Sequence, residues 1–457
     1  MKRNPLFSTL APGLAPLVVL AAASLRLVTV ALLCVSFLTA QPVDDTRLKQ
    51  VIIFGRHSVR SPLEPNSTLN NYSVQPFPEF GIPPGNLTAN GATLETILGG
   101  YYRLWLTKEK LLTGNDPADA ALVYFRANVI ERTIASAQAF AAGLLPAASV
   151  NVNFYGPQDS DPLFDPVGAG VARLNQRMAV AAVMGRLGGN PQSLASAYAP
   201  ELALTRSVLF GYPASETPAP ATPDGKVDVT AIPFQVAAAG QSGWPVDPGG
   251  LAMVFVAVDP FIMEYAEGLP ASEVGWGQLT AGGVSQALRL YALALDLECR
   301  TPYLDQVLSS NLASHVVRSM VQGATGNAMT GALGNPSTKA IVLIGSDSQI
   351  TGLAGLFHLD WIVPGYQADF CGPGGALVFQ LRQSQSTGEY IVRASYVAQT
   401  LDQLRNRTAL TLSTPPASAP VFIPGCSVRN ATFDCPLANF VAVAKQVIDP
   451  LSADRTN

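Results

Sequence analysis

Histidine is scarce in this chain: three occur in 457 residues, at His57, His315 and His358. Cysteine is nearly as rare, with five, and no two form a CxxC pair. Structural and catalytic zinc sites draw on close-set cysteines and histidines, so the supply of ligands argues against a metal centre. Charged residues make up only 13% of the chain and the formal net charge is -4. That balance excludes a general nucleic-acid surface, which needs an excess of cations to displace counterions. No P-loop or G-x-G-x-x-G follows any strand pattern, so nucleotide-cofactor enzymes drop out. GQSGW at Gly240–Trp244 is not the G-x-S-x-G elbow of a serine hydrolase. No cofactor of any kind is called for.

Extended apolar runs are confined to the N-terminus. Lys2 and Arg3 precede two such stretches, Leu17–Leu25 and Leu27–Leu38, separated by Arg26, and Leu38-Thr39-Ala40 leads into Gln41-Pro42. Residues 1–40 therefore read as a signal peptide, its core too short for a membrane span. The mature protein is expected in the periplasm or outside the cell, without stable membrane association. Cys299, Cys371, Cys426 and Cys435 then remain, and four cysteines in an exported chain allow three pairings. Cys426–Cys435, which closes a short loop rich in turn residues, is the favoured one.

Short, continuous apolar runs recur, each followed by a turn and a helical pattern. VIIFG (Val51–Gly55) leads into RHSVRSP, and ALVYF (Ala121–Phe125) leads into a helical stretch over Glu131–Leu144. AIVLIG (Ala340–Gly345) leads into Ser346-Asp347 and a further apolar segment. Such runs suit strands buried on both faces, as in a parallel α/β sheet. Ala376–Arg382 and Tyr390–Val397 alternate in the manner of strands and are expected to close the sheet edge. From about Pro166 to Ala313 helical patterns prevail. The expected fold is α/β: a mostly parallel central sheet flanked by helices, built from 44–165 and 314–457, with a mainly helical subdomain at 166–313 inserted in the sequence.

Three polar clusters follow the buried-strand patterns: Arg56-His57-Arg60, Arg132 and Asp347. Open parallel sheets bind ligands outside the carboxyl ends of their strands, so all three are placed to converge on one crevice. Their residue types form a chemical set. Guanidinium groups supply the planar, paired donors that a phosphate dianion needs. A neutral imidazole attacks phosphorus to give a phosphohistidine. A carboxylic acid beside the leaving oxygen supplies the proton that an alkoxide requires.

RHSVRSP resembles the RHGxRxP motif of the histidine acid phosphatases, and the likeness extends along most of the mature chain. LTANGATLETILGGYYRLWL (Leu87–Leu106), ERTIASAQAFAAGLLP (Glu131–Pro146), DPLFDPV (Asp161–Val167) and VGWGQLT (Val274–Thr280) resemble the bacterial phytase and glucose-1-phosphatase branch. GPGGALVFQLR (Gly372–Arg382), QTLDQLRN (Gln399–Asn406) and IPGC (Ile423–Cys426) continue the likeness in the same order. The resemblance implies that His57 is the nucleophile, that Arg56, Arg60 and Arg132 bind phosphate, and that Asp347 is the proton donor. It also implies the Cys426–Cys435 bridge and a reaction without metal.

Two positions depart from the family pattern. Ser58 stands where glycine is usual, and Ser346 replaces the histidine of an HD pair. Serine at 346 still offers phosphate one neutral hydrogen bond, but the lost charge-assisted bond predicts turnover slowed by one to two decades. The loop 61–78 contains no Lys or Arg and carries Glu64, which disfavours a polyanion and favours sugar phosphates or simple monoesters over phytate. The expected activity is hydrolysis of small phosphomonoesters with inorganic phosphate as product. The alternative, raised by Ser346, is a pseudophosphatase that binds phosphate or a phospholigand without turnover.

Overall fold

The strand containing VIIFG organises the molecule. In the computed structural model, which describes residues 44–156, 159–239 and 244–454, the strands are β1 (Thr46–Arg56), β2 (Val123–Ala127), β3 (Val152–Asn153), β4 (Phe234–Ala238), β5 (Val246–Gly249), β6 (Ala340–Gly345), β7 (Ala376–Ser384), β8 (Tyr390–Ala398), β9 (Ala417–Val421) and β10 (Cys435–Pro436). The helices used below are α1 (Ala89–Lys108), α2 (Glu131–Leu144), α3 (Gly250–Glu267), α4 (Ala281–Cys299), α5 (Leu304–Thr325), α6 (Asp347–Phe357) and α7 (Leu437–Val447). The expected signal peptide lies outside the described residues.

The main sheet runs β10-β8-β7-β1-β6-β2-β3, with β9 also paired to β8. β1, β6, β2 and β3 are parallel neighbours, while β7, β8, β9 and β10 add antiparallel pairings. The mostly parallel centre flanked by helices is thus observed. One detail differs from expectation: β7 and β8 do not close the edge. β7 lies between β1 and β8, and β9 and β10 cover β8, so both strands are paired on each side.

Strand periodicity explains the two-layered core. Val51 and Ile53 of β1 point to a cluster that includes Tyr102, Leu106 and Phe140 of α1 and α2. Ile52 and Phe54 point the other way, into a cluster with Leu312, Val316 and Leu353 of α5 and α6. Alternate residues face opposite sides of a strand, so an unbroken apolar run is what a strand covered on both faces requires. α1 and α2 approach closely because glycine lines their crossing. A Cβ on Gly99 would lie 2.2 Å from the Phe140 carbonyl oxygen, and one on Gly143 would lie 2.1 Å from that of Thr96.

Segment 166–313 carries α3 and α4, shorter helices at Gln176–Arg186 and Ala199–Phe210, and the two-stranded β4–β5 sheet. α3 is apolar almost throughout, with Asp259 and Pro260 in its interior. Cys426 and Cys435 form a disulfide with Cα atoms 5.1 Å apart, while Cys299 and Cys371 are buried free thiols. His315 bonds the Gly331 carbonyl and Asp454, and His358 ends α6 in a left-handed conformation.

Candidate active site

Strand register brings the three clusters together. Arg56, the last residue of β1, pairs with Gly345, the last of β6, so Arg56-His57 and Ser346-Asp347 leave the sheet side by side. The His57 amide donates to the Gly345 carbonyl at 3.0 Å. β2 ends on the other side of β6, where the Asn128 amide bonds the Ile344 carbonyl. Arg132 follows in the first turn of α2. These are the carboxyl ends of adjacent parallel strands, the place where α/β sheets bind ligands.

The His57 ring is buried, and its Nδ1 lies 2.8 Å from the Ser58 carbonyl oxygen. A carbonyl only accepts, so Nδ1 carries the proton and Nε2 keeps its lone pair. Burial, then the charges of Arg132, Arg56 and Arg60, hold the imidazole pKa well below its ordinary 6.5. Both effects favour the neutral ring, which has the electronic character of a nucleophile.

The three guanidinium groups differ in their partners. Arg56 donates to the Cys371 carbonyl (2.6 Å) and to Tyr291 (3.2 Å), and pairs with Asp347 Oδ2 at 2.9 Å. Arg60 makes a bidentate pair with Asp259 at 2.7 and 2.8 Å, with both side chains buried. Arg132 donates to the Gly85 carbonyl at 3.2 Å and has no carboxylate partner among the described residues; its buried Nε has no acceptor. Burial and the neighbouring Arg60 charge push the Arg132 pKa down to about 10, which leaves it a cation at working pH. Three cations thus face two carboxylates around a neutral imidazole. The excess positive charge is in deficit of an anion, and a tetrahedral oxyanion supplies the acceptors that Arg132 lacks.

Residues 47–199 match the family model described as the histidine phosphatase superfamily (branch 2). The phytase AppA of Escherichia coli (strain K12) is 28% identical, with 90% of this chain and 94% of that protein aligned. Over residues 47–199 the chain is similar to the histidine phosphatase superfamily, branch 2. Glucose-1-phosphatase of Providencia rettgeri is 27% identical over 89% of this chain and 93% of that protein. Among solved structures, Hafnia alvei phytase in complex with tartrate superposes with a TM-score of 0.79 at 29% identity, covering 90% of this chain and 99% of that one. Citrobacter braakii phytase gives a TM-score of 0.79 at 26% identity, covering 90% and 100%.

The residues read from the sequence fall into one group. His57, Arg56, Arg60, Arg132 and Asp347 are joined by contacts or by the mutual influence of their charges. Ser346 stands at the N-terminus of α6. Its amide donates to Gln349 Oε1 at 2.7 Å, and its hydroxyl lies 3.0 Å from the same oxygen and 2.7 Å from Ser348 Oγ. Ser58 has no positive φ, so its backbone does not require glycine; its amide donates to Ser136 Oγ at 3.1 Å.

Two residues of the site escaped the sequence reading. Asp259 anchors Arg60, and Tyr291 of α4 donates to Asp347 Oδ2 at 2.5 Å. Asp259 did leave a signal, since a lone acid inside the apolar run of α3 demands a buried cation. Tyr291 left none, because a tyrosine in an amphipathic helix reads as packing.

Proposed function

We propose that this chain is an exported acid phosphatase that hydrolyses small phosphomonoesters through a phosphohistidine on His57. His57 Nε2 bonds to phosphorus as the ester P–O bond breaks. The bond's electron pair goes to the departing oxygen, which takes the proton of Asp347. Water then attacks phosphorus, the P–N bond breaks, and the Asp347 carboxylate accepts the water's proton. Arg56, Arg60 and Arg132 hold the equatorial phosphate oxygens throughout, and inorganic phosphate leaves. The observation that carries this reading is the carboxylate-free Arg132 beside a buried, neutral His57.

Sugar phosphates or simple monoesters suit the surroundings better than phytate. Glu64 lies on the 61–78 segment, which has no Lys or Arg of its own. A pocket of about 410 Å³ adjoins the start of α6, lined in part by Trp244, Glu298, Ser309, Ser348 and Gln349, with no Lys or Arg among the described residues that line it. Such walls suit hydroxyl groups and an apolar ring face, and offer nothing to further phosphates. No described helix is long and apolar enough to cross a membrane; the periplasmic or extracellular location is inferred from the leader in the sequence.

The test is hydrolysis of p-nitrophenyl phosphate and glucose-1-phosphate by the mature chain and by His57→Ala. Loss of turnover in the variant, with a phosphohistidine trapped by rapid quench in the parent, is the expected result. Equal rates from both proteins end the proposal. The second reading, a phosphate binder without turnover, is favoured by the Ser346 hydroxyl, which is engaged with Ser348 Oγ and Gln349 Oε1 rather than left for a ligand. Ser346→His separates the two: a gain of ten- to a hundred-fold indicates a slowed phosphatase, whereas phosphate binding without turnover in both forms indicates the binder.

A further inference from the structure

Asp347 sits in a closed hydrogen-bonded triangle. Tyr291 Oη donates to Asp347 Oδ2 at 2.5 Å, Arg56 Nη2 reaches the same oxygen at 2.9 Å, and Arg56 Nη2 also donates to Tyr291 Oη at 3.2 Å. The other carboxylate oxygen accepts the Ser348 amide at 2.9 Å. The tyrosine is not free to swing away. Its ring stacks on Phe255 with centroids 4.1 Å apart and meets Phe370 edge-on at 5.7 Å. It is fully buried, and its phenol is raised well above the usual value by burial and by Asp347, so the hydroxyl stays a donor at any working pH.

We propose that Tyr291 is a positioning residue for the proton donor: its hydroxyl fixes Asp347 in the Arg56-paired arrangement and stabilises the carboxylate that forms as the proton leaves. The proposal rests on the reading of Asp347 as the acid. The physical reason is direct. A hydrogen bond to the charged form of a carboxyl favours that form, and in a buried site the effect is not diluted by water. The bond from Tyr291 therefore assists proton transfer from Asp347 to an alkoxide-like oxygen.

Other groups face Asp347 as well. Arg56 comes from β1 and Arg132 from α2, and both cations favour the anion. Glu298 and Cys299 of α4 and Cys371 of the loop before β7 feel its charge and oppose a second negative charge nearby. Tyr291→Phe removes the hydroxyl's bond to Asp347 and one acceptor of Arg56 Nη2, while Arg56 keeps the Cys371 carbonyl and its pair with Asp347, and the ring keeps its place between Phe255 and Phe370.

The experiment is kcat/KM against pH for a simple alkyl phosphate, whose poor leaving group depends on the acid, with p-nitrophenyl phosphate as a substrate that depends on it little. For Tyr291→Phe the rate with the alkyl phosphate falls by about ten-fold, and p-nitrophenyl phosphate is affected much less. Rates that fall in parallel with both substrates at every pH reduce Tyr291 to a packing residue and overturn the inference. Asp347→Asn tests the underlying reading separately. A selective loss on the alkyl phosphate upholds it, and a wild-type rate on that substrate refutes Asp347 as donor whatever Tyr291 does.

Discussion

Removing the Asp259 carboxylate is a severe test of how Arg60 is held. Asp259 and Arg60 are 1% and 2% exposed and share two hydrogen bonds, at 2.7 and 2.8 Å. Arginine does not deprotonate, so Asp259→Asn leaves a buried cation facing a neutral amide. Breaking a buried pair from one side costs about 3–5 kcal/mol, because the remaining charge has already lost its water. The asparagine oxygen still accepts one bond, which places the expected loss near the lower end, about 3 kcal/mol. The natural comparison is Arg186 with Asp296, a pair whose side chains are 32% and 37% exposed. There Asp296→Asn costs less than about 1 kcal/mol, since water replaces the lost partner. Urea unfolding of the two variants beside the parent measures both, and unchanged slopes make the midpoints comparable. Phosphatase assays add a second readout, with kcat/KM falling in Asp259→Asn as Arg60 loses its orientation. The reasoning is refuted if Asp259→Asn proves no more costly than the exposed control.

Three further outcomes follow from particular contacts. Glu264 lies buried in α3, accepts the Gly275 amide at 2.9 Å, and is pushed up to about 8 by burial. Its folded form holds a proton that the unfolded chain releases near pH 4.5, so its contribution to stability is full below that pH and is lost as pH rises to about 8. Melting temperature is expected to fall from pH 5 to pH 8, and Glu264→Gln to flatten that slope. Gly143→Ala forces its new methyl against the Thr96 carbonyl and spreads α1 from α2; about 1–3 kcal/mol of lost stability is expected from denaturation, and an unchanged midpoint would contradict the close approach. Ser346→His disturbs the start of α6, where Ser346 and Gln349 bond each other, so the variant loses about 1 kcal/mol of stability even where its turnover rises, as measured by thermal unfolding.

The sequence by itself determined the sheet and most of the candidate site. Unbroken apolar runs such as AIVLIG are stable only when helices cover both faces of the strand, and every residue of that run is buried. Arg56, His57 and Asp347 were legible because they follow such runs within two residues, and Arg132 because it opens the helix after another; the end of a parallel strand is a fixed place in three dimensions. What tertiary structure alone decided was which charges cancel. Asp259 stands 199 residues from Arg60, and Tyr291 stands 56 from Asp347; no local spacing encodes those meetings. The order of the antiparallel strands was also beyond the sequence, because an alternating pattern records which face is buried and not which neighbour supplies the hydrogen bonds. The neutral state of His57 belongs to the same class. It depends on burial and on three guanidinium charges gathered from two separate stretches of chain, and fields of that kind exist only once the chain has folded.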